Sequence, residues 1–213
     1  MKESLFEIYA QKYDSWYEKH LAVYESELEA MKELIPPEMP EKSLEIGVGT
    51  GRFASALGIS YGLDPSRKML EIAEKHGVGV IKGIAEDLPL KSSSFELILM
   101  VTSICFVDVE RTLLEISRVL VSGGKLIIAF IERNSPLGKE YQKKAQESHF
   151  YGNATFHSAK ELINRLEEYG FYEPVIRQTI FKPLSEIKVM QIPEEGFSRG
   201  SFVVVGTRSI KNK

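Results

Sequence analysis

Leu44-Glu45-Ile46-Gly47-Val48-Gly49-Thr50-Gly51 decides the reading of this chain, because an apolar run ends there in an acid and three glycines on alternate residues. A strand that stops at Gly47 and a helix that starts near Gly51 require a very tight turn. Glycine alone supplies positive φ and leaves no Cβ between backbone and ligand. The stretch therefore reads as a nucleotide-type cofactor loop whose binding surface is the backbone itself. Glu45 lies before the glycines, and position 52, where a dinucleotide fingerprint has its last glycine, is Arg52. This spacing favours S-adenosylmethionine over a nicotinamide dinucleotide.

Outward from the loop, strands and helices alternate. Upstream, apolar residues recur at helical spacing from Leu5 to Ile35, which predicts one or two amphipathic helices stopped by Pro36 and Pro37, and Ser43 to Ile46 forms the first strand. Downstream, Arg52 to Leu57 reads as a short helix and Ile59 to Leu63 as a strand ending in Asp64. Pro65 and Ser66 open a helix that Gly77 closes, and Val78 to Ile81 is a third strand. Glu96 to Val101 is almost continuously apolar, as a central parallel strand buried on both faces requires. Asp108 and Glu110 suit the start of the next helix, which Gly123-Gly124 is expected to end before a fifth strand, Lys125 to Ile131. Ser158 to Glu161 is a capping-box pattern for a helix from Ser158 to Tyr169. Two late strands follow, around Phe171 to Phe181 and Phe202 to Thr207, joined by the long connection Pro183 to Gly200. The expected fold is an α/β, Rossmann-like, doubly wound sheet, mostly parallel with one antiparallel strand near the C-terminus, plus amino-terminal helices.

Residues 1–213 read as one domain: a helical cap at 1–37, a cofactor-binding core at 40–131, an insertion at 134–156 and a closing helix with strands at 157–213. The insertion Asn134 to Phe156 is polar and studded with aromatics, which marks it as the candidate lid or acceptor-recognition element. A net charge of −3 argues against gripping phosphate backbones by bulk charge, so nucleic acid is not an expected partner. The first residues carry no signal-peptide pattern and no run is long enough to span a bilayer, so the expected location is cytoplasmic, away from membranes. Cys105 is the only cysteine, and no Cys/His cluster has metal-ligand spacing, so neither a disulfide nor a metal is implied.

In an open parallel sheet, ligands bind at the carboxyl ends of the strands beside the switch point. Gly47, Gly49 and Gly51 follow the first strand, Asp64-Pro65 the second, Ala85-Glu86 the third and Val101-Thr102-Ser103 the fourth, so one elongated ligand would touch all four. A carboxylate at a strand end accepts from both hydroxyls of a ribose. Together, LEIGVGTG, YGLDPS, IAEDLPL, FELILMVTSICFV and RVLVSGGKLII over roughly residues 40 to 130 resemble the ordered motifs of class I S-adenosylmethionine-dependent methyltransferases. The chain looks most similar to the small-molecule branch that includes quinone-biosynthesis-type enzymes. The resemblance implies that Asp64 holds the ribose, that Ala85 and Glu86 border the adenine, and that Gly47 to Gly51 lie beneath the methionine part. It also implies methyl transfer to a small-molecule acceptor by in-line displacement, with no dedicated nucleophile. A non-catalytic module sensing the cofactor or its demethylated product would carry the same ribose site.

The departures concern detail. Ile84 stands where related sequences often carry an acid for the adenine amino group, Ser122-Gly123-Gly124 replaces a Pro-Gly-Gly turn, and the Asn-Pro-Pro-Tyr of enzymes that methylate base or protein amines is absent. Tyr13, Trp16 and Tyr17 are expected to fold over the site, with Tyr13 and Trp16 near the sulfonium. Plainer readings stand beside these. Tyr13 and Trp16 also suit core packing, Asp64 a helix cap, and Glu45 either cofactor contact or a brace for the loop. Cys105 reads as buried and inert, and His20, His149 and His157 as surface histidines. Glu132 and Arg133 stay open as acceptor contacts, and the general base is unassigned.

Overall fold

The computed structural model describes residues 5–145, 152 and 154–210. Three helices come first, α1 (Leu5–Ile8), α2 (Ala10–Lys19) and α3 (Leu21–Lys32). They are followed by β1 (Ser43–Ile46), α4 (Arg52–Leu57), β2 (Tyr61–Asp64), α5 (Arg67–Lys75), β3 (Gly79–Lys82) and β4 (Phe95–Val101). Then come α6 (Val109–Val119), β5 (Leu120–Ile131), α7 (Pro136–Ala145), α8 (Ala159–Glu168), β6 (Phe171–Thr179), β7 (Glu194–Glu195) and β8 (Phe202–Ser209).

The strands form one sheet in the order β3-β2-β1-β4-β5-β8-β6-β7. Strands β1 to β5 are mutually parallel, and the chain reverses direction at β1, with β2 on one side and β4 on the other. Strand β8 runs antiparallel between β5 and β6, as expected, and the two-residue β7 adds a further antiparallel edge. Leu97 and Leu99 pack into one core layer with α3 and α4, whereas Ile98 and Met100 pack into the other with α6 and α8. A central strand covered on both faces must be apolar where it is buried, which is why β4 from Leu97 to Val101 shows no polar alternation. Among the described residues no helix is long and apolar enough to cross a membrane.

Two expectations need correction. The amino-terminal periodicity holds three helices rather than one or two. His20 leaves the helical basin (φ −123°, ψ 43°), its Nδ1 meets the Trp16 carbonyl at 2.9 Å, and its ring stacks on Trp16 at 4.4 Å. Gly123-Gly124 does not end the helix before β5. The helix stops at Val119 and the strand begins at once, with the glycines inside a bulge between the pairs Phe95–Leu120 and Leu97–Lys125. Gly123 there takes φ +78°, a left-handed value that a bulged strand accommodates with glycine. In the insertion, residues 134–145, 152 and 154–156 are described; they include α7, whose Leu137 turns into the core, and His149 lies outside them.

Gly51 has a packing role. It caps α4 at φ +77°, and a Cβ there would meet Ala73 Cβ of α5 at 2.9 Å and Ala73 Cα at 3.0 Å. The residue lets two helices touch. Gly51→Ala combines a left-handed backbone with an overpacked contact, so it is expected to lower the free energy of urea unfolding by about 2 to 4 kcal/mol without any ligand present. A change within about 0.5 kcal/mol would refute this packing role.

Candidate active site

The turn after β1 is fixed by backbone bonds. Gly47 N and Val48 N both donate to Leu63 O, at 2.8 and 3.0 Å, and Gly51 N donates to Val48 O at 2.9 Å. Gly47 and Gly49 both have positive φ, and a Cβ on Gly47 would lie 2.5 Å from Ser103 Cβ. The loops after β1 and β4 can therefore meet only because position 47 has no side chain.

Asp64 ends β2 and joins this turn to the next one. Its Oδ2 accepts from Gly49 N at 3.0 Å and its Oδ1 from Ser66 N at 2.8 Å. Burial raises its carboxyl above the usual carboxylate range, and the two backbone donors work against that shift. With one backbone donor on each oxygen, a carboxylate keeps free lone pairs for further donors. The helix cap is Ser66, whose Oγ accepts from Met69 N at 3.2 Å, so capping does not consume Asp64. Ser66 Oγ also bonds to Glu7, which draws the first helix toward the site.

A cavity of about 550 Å³ opens over the carboxyl ends of the parallel strands. Of the expected cofactor residues, Tyr13, Trp16, Gly47, Gly49, Asp64, Pro65, Ala85, Glu86 and Val101 line it, whereas Glu45 and Gly51 do not. Glu45 is buried on the far side of the loop, where it accepts from the Ala54 amide while Oε2 has no partner among the described residues. Burial pushes its carboxyl well above the usual range, so this acid braces β1 against α4. Following the strand order, the cavity runs from Asp64, Ala85 and Glu86 across the glycine turn to Ile131, Leu137 and Tyr141.

The amino-terminal helices form the roof. Arg52, the residue in place of the dinucleotide glycine, donates Nε and Nη2 to the two Asp14 oxygens at 2.7 Å each and reaches Glu18 at 2.9 Å. Burial alone would raise the Asp14 carboxyl, but the Arg52 bonds outweigh it and hold it below its ordinary value. Bidentate pairing of this kind fixes direction as well as distance, so α2 is pinned over α4. The Tyr13 and Tyr17 hydroxyls lie 2.7 Å apart, and Trp16 packs edge-on against Tyr17 at 5.3 Å. These aromatics are both core packing and cavity wall, which unites the two readings of the sequence.

The remaining candidates fall outside this cavity. His20 is stacked on Trp16, and His157 lines a small separate pocket with its Nε2 buried and unpartnered among the described residues. Burial lowers the His157 pKa. Glu132 accepts from Ser135 N at 2.9 Å and Ala159 N at 3.4 Å, which organises the chain around α7 and α8, and Arg133 pairs with Glu161 at 2.6 Å. Burial pushes the half-buried Cys105 thiol up to about 12, in keeping with an inert role.

Several lining residues escaped the sequence reading, above all Glu27 and Tyr141. Thr102, expected at the end of the fourth strand, lines the cavity with φ +49°. Glu27 left a faint signal: it falls on the apolar face of α3, between Val23 and Met31, where a solvated acid has no place. Its side chain is buried, and burial alone pushes its carboxyl up to about 8.

The model of the methyltransferase domain family matches residues 44–128. An uncharacterised protein of Methanocaldococcus jannaschii is 43% identical over 208 residues, 97% of this chain and 100% of its own length. A crystal structure from Thermotoga maritima, described as a SAM-dependent methyltransferase and possible histamine N-methyltransferase, is 47% identical with a TM-score of 0.92. That similarity covers 96% of this chain and 98% of the Thermotoga chain. A malonyl-[acyl-carrier protein] O-methyltransferase of Methylococcus capsulatus is 29% identical over 161 residues, 70% of this chain and 58% of its own.

The buried acid of the roof yields a pH prediction. Glu27 has a folded-state pKa of about 8 against an ordinary 4.5, so the folded state holds a proton that the unfolded chain has released between those values. That contribution is complete below the lower value and is lost as pH rises toward the upper one. Urea unfolding of the ligand-free protein should show Glu27→Gln gaining on the parent as pH rises from about 4.5 to about 8. A stability difference that stays constant across that window would contradict the assignment.

Proposed function

The chain belongs to the class I S-adenosylmethionine-dependent methyltransferases, and we propose that it methylates a small-molecule acceptor by in-line displacement inside the cavity beneath α2 and α3. The observation that carries this reading is the continuity of that cavity. One continuous space has the Asp64 carboxylate on its β2 side, bare glycine backbone in the middle and the Glu27–Tyr141 region beyond it. Its volume of about 550 Å³ falls in the usual range for small-molecule sites.

The residues present fit the cofactor. Asp64, with free acceptor positions, would hold the ribose hydroxyls, and Ala85, Glu86, Ile84 and Met69 would border the adenine. Ile84 offers no hydrogen-bonding side chain, so adenine selection there would rest on backbone and packing. Gly47 and Gly49 would lie beneath the methionine part, with Val101 alongside and Tyr13 and Trp16 above. When bound, S-adenosylmethionine supplies an electrophilic methyl group on a sulfonium whose departure leaves a neutral thioether.

What the protein itself must supply is alignment and dryness. The pinned roof over a rigid turn orients an incoming lone pair, and positioning of this kind contributes about 7 to 11 kcal/mol toward the barrier in well-oriented reactions. Aromatic faces near a cation add on the order of 0.5 to 2 kcal/mol each. The motif resemblance to the small-molecule branch that includes quinone-biosynthesis-type enzymes supports a compact acceptor. Relatives with named acceptors differ among themselves, a possible histamine N-methyltransferase beside a malonyl-[acyl-carrier protein] O-methyltransferase, so the acceptor's chemistry must be read from this chain's own walls.

Saturating S-adenosylmethionine is expected to raise the melting temperature, since ligand at 100 times its Kd adds about 2.7 kcal/mol to folded-state stability. Asp64→Ala should abolish most of that rise. In a screen of metabolite extracts, the parent should form S-adenosylhomocysteine in an acceptor-dependent way, with Asp64→Ala as the blank. A parent that binds the cofactor yet yields no product with any extract fraction would contradict the acceptor reading.

A further inference from the structure

Glu27 is the feature of the cavity that cofactor binding leaves unexplained. It is 7% exposed, lines the cavity, and has neither hydrogen bond nor ion pair among the described residues. The other two acids of the wall are engaged: Asp64 accepts from Gly49 and Ser66, and Glu86 accepts from Asp108 N at 3.0 Å. Lys12, the cation among the lining residues, stands 5.9 Å from the Tyr9 ring and makes no bond to Glu27. Glu132, which organises the chain around α7 and α8, accepts from Ser135 N, Asn134 and Ala159 N, and even Glu45 accepts from the Ala54 amide, whereas Glu27 accepts from none of the described donors.

An unpaired buried carboxyl is costly unless an occupant supplies a donor or a positive charge. The walls around this one favour a cation. Tyr13, Tyr17 and Tyr141 line the same part of the cavity, and the ring faces of tyrosines attract an ammonium. The Glu27 charge acts on Tyr13, Tyr24 and Tyr141, whose hydroxyls are pushed up to about 12 chiefly by burial, so these phenols stay protonated beside it. Tyr141 follows β5 in the chain and lines the cavity beside Leu137 and Ile131, whereas Tyr13 lies over Gly49, so this region adjoins the glycine turn next to the Asp64 side proposed for the nucleoside.

We propose that Glu27, with Tyr13, Tyr17 and Tyr141, forms the acceptor subsite and that the acceptor is a small primary or secondary amine, bound as its ammonium ion. The inference rests on the small-molecule reading given above and adds to it the chemical class. The charge of the bound ammonium favours the ionised form of Glu27, and before the new N–C bond can form, an N–H bond of the ammonium breaks with its electron pair left on nitrogen and the proton passes to an oxygen of that carboxylate. A carboxyl whose pKa is raised to about 8 holds that proton far better than an exposed glutamate would.

The test is calorimetric titration of the protein saturated with S-adenosylhomocysteine, using matched pairs of primary amine and alcohol from ethylamine and ethanol to phenylethylamine and phenylethanol. At least one amine should bind about tenfold or more tighter than its alcohol, the scale of a hydrogen bond to a charged group. Glu27→Gln should lose that preference while unfolding cooperatively and binding S-adenosylhomocysteine as the parent does. Amines and alcohols bound alike by the parent, or a preference that survives in Glu27→Gln, would overturn the proposal. Failure of the parent to bind S-adenosylhomocysteine would instead strike the cofactor reading on which it rests, so the two failures are distinguishable.

Discussion

The Asp64 carboxylate is the joint on which this site depends. Between the Gly49 and Ser66 amides it ties the glycine turn after β1 to the turn that opens α5, at the place where the sheet reverses its strand order. A buried carboxylate is unfavourable in isolation, and two backbone donors bring it within reach of stability without exhausting its acceptor capacity. The same bonds that stabilise the turn therefore leave a prepared acceptor facing the cavity. Gly47 completes the arrangement, since any side chain there would collide with Ser103 and drive the loops after β1 and β4 apart.

What was legible in the sequence was whatever the backbone and the core impose locally. Strand β1 and helix α4 fall on the expected residues because a glycine turn admits few alternatives, and β4 announced itself by being apolar on both faces. Asp64, Ala85 and Glu86 could be placed because strand ends in a parallel sheet face one crevice. Glycines carry a shared ambiguity: Gly51 and Gly123-Gly124 signal positive φ or close approach, and sequence does not say whether the neighbour is a ligand, a helix or a bulged strand. Glu45 carried two readings in the sequence, cofactor contact and a brace for the loop, and its bond to the Ala54 amide favours the brace.

The roof was legible as helix and in its aromatics Tyr13, Trp16 and Tyr17, but what anchors it was not. Arg52 was visible only as a departure from a dinucleotide pattern, yet its paired bonds to Asp14 set the position of α2 and so of Tyr13 and Trp16. Long-range pairs of this kind, thirty-eight residues apart here, leave no periodic trace in a sequence. Glu27 was hidden more deeply, since a single acid on an apolar helix face is noticed only when that face is known to border a cavity.

A crystal structure of the complex with S-adenosylhomocysteine addresses the central claim most directly, because it reports the orientation of the ligand within the cavity. The account predicts both ribose hydroxyls within hydrogen-bonding distance of Asp64, the adenine beside Ala85 and Glu86, and the sulfur above the glycine turn facing the Glu27 side. A nucleoside seated in the Glu27–Tyr141 region, or a ribose making no bond to Asp64, would contradict it.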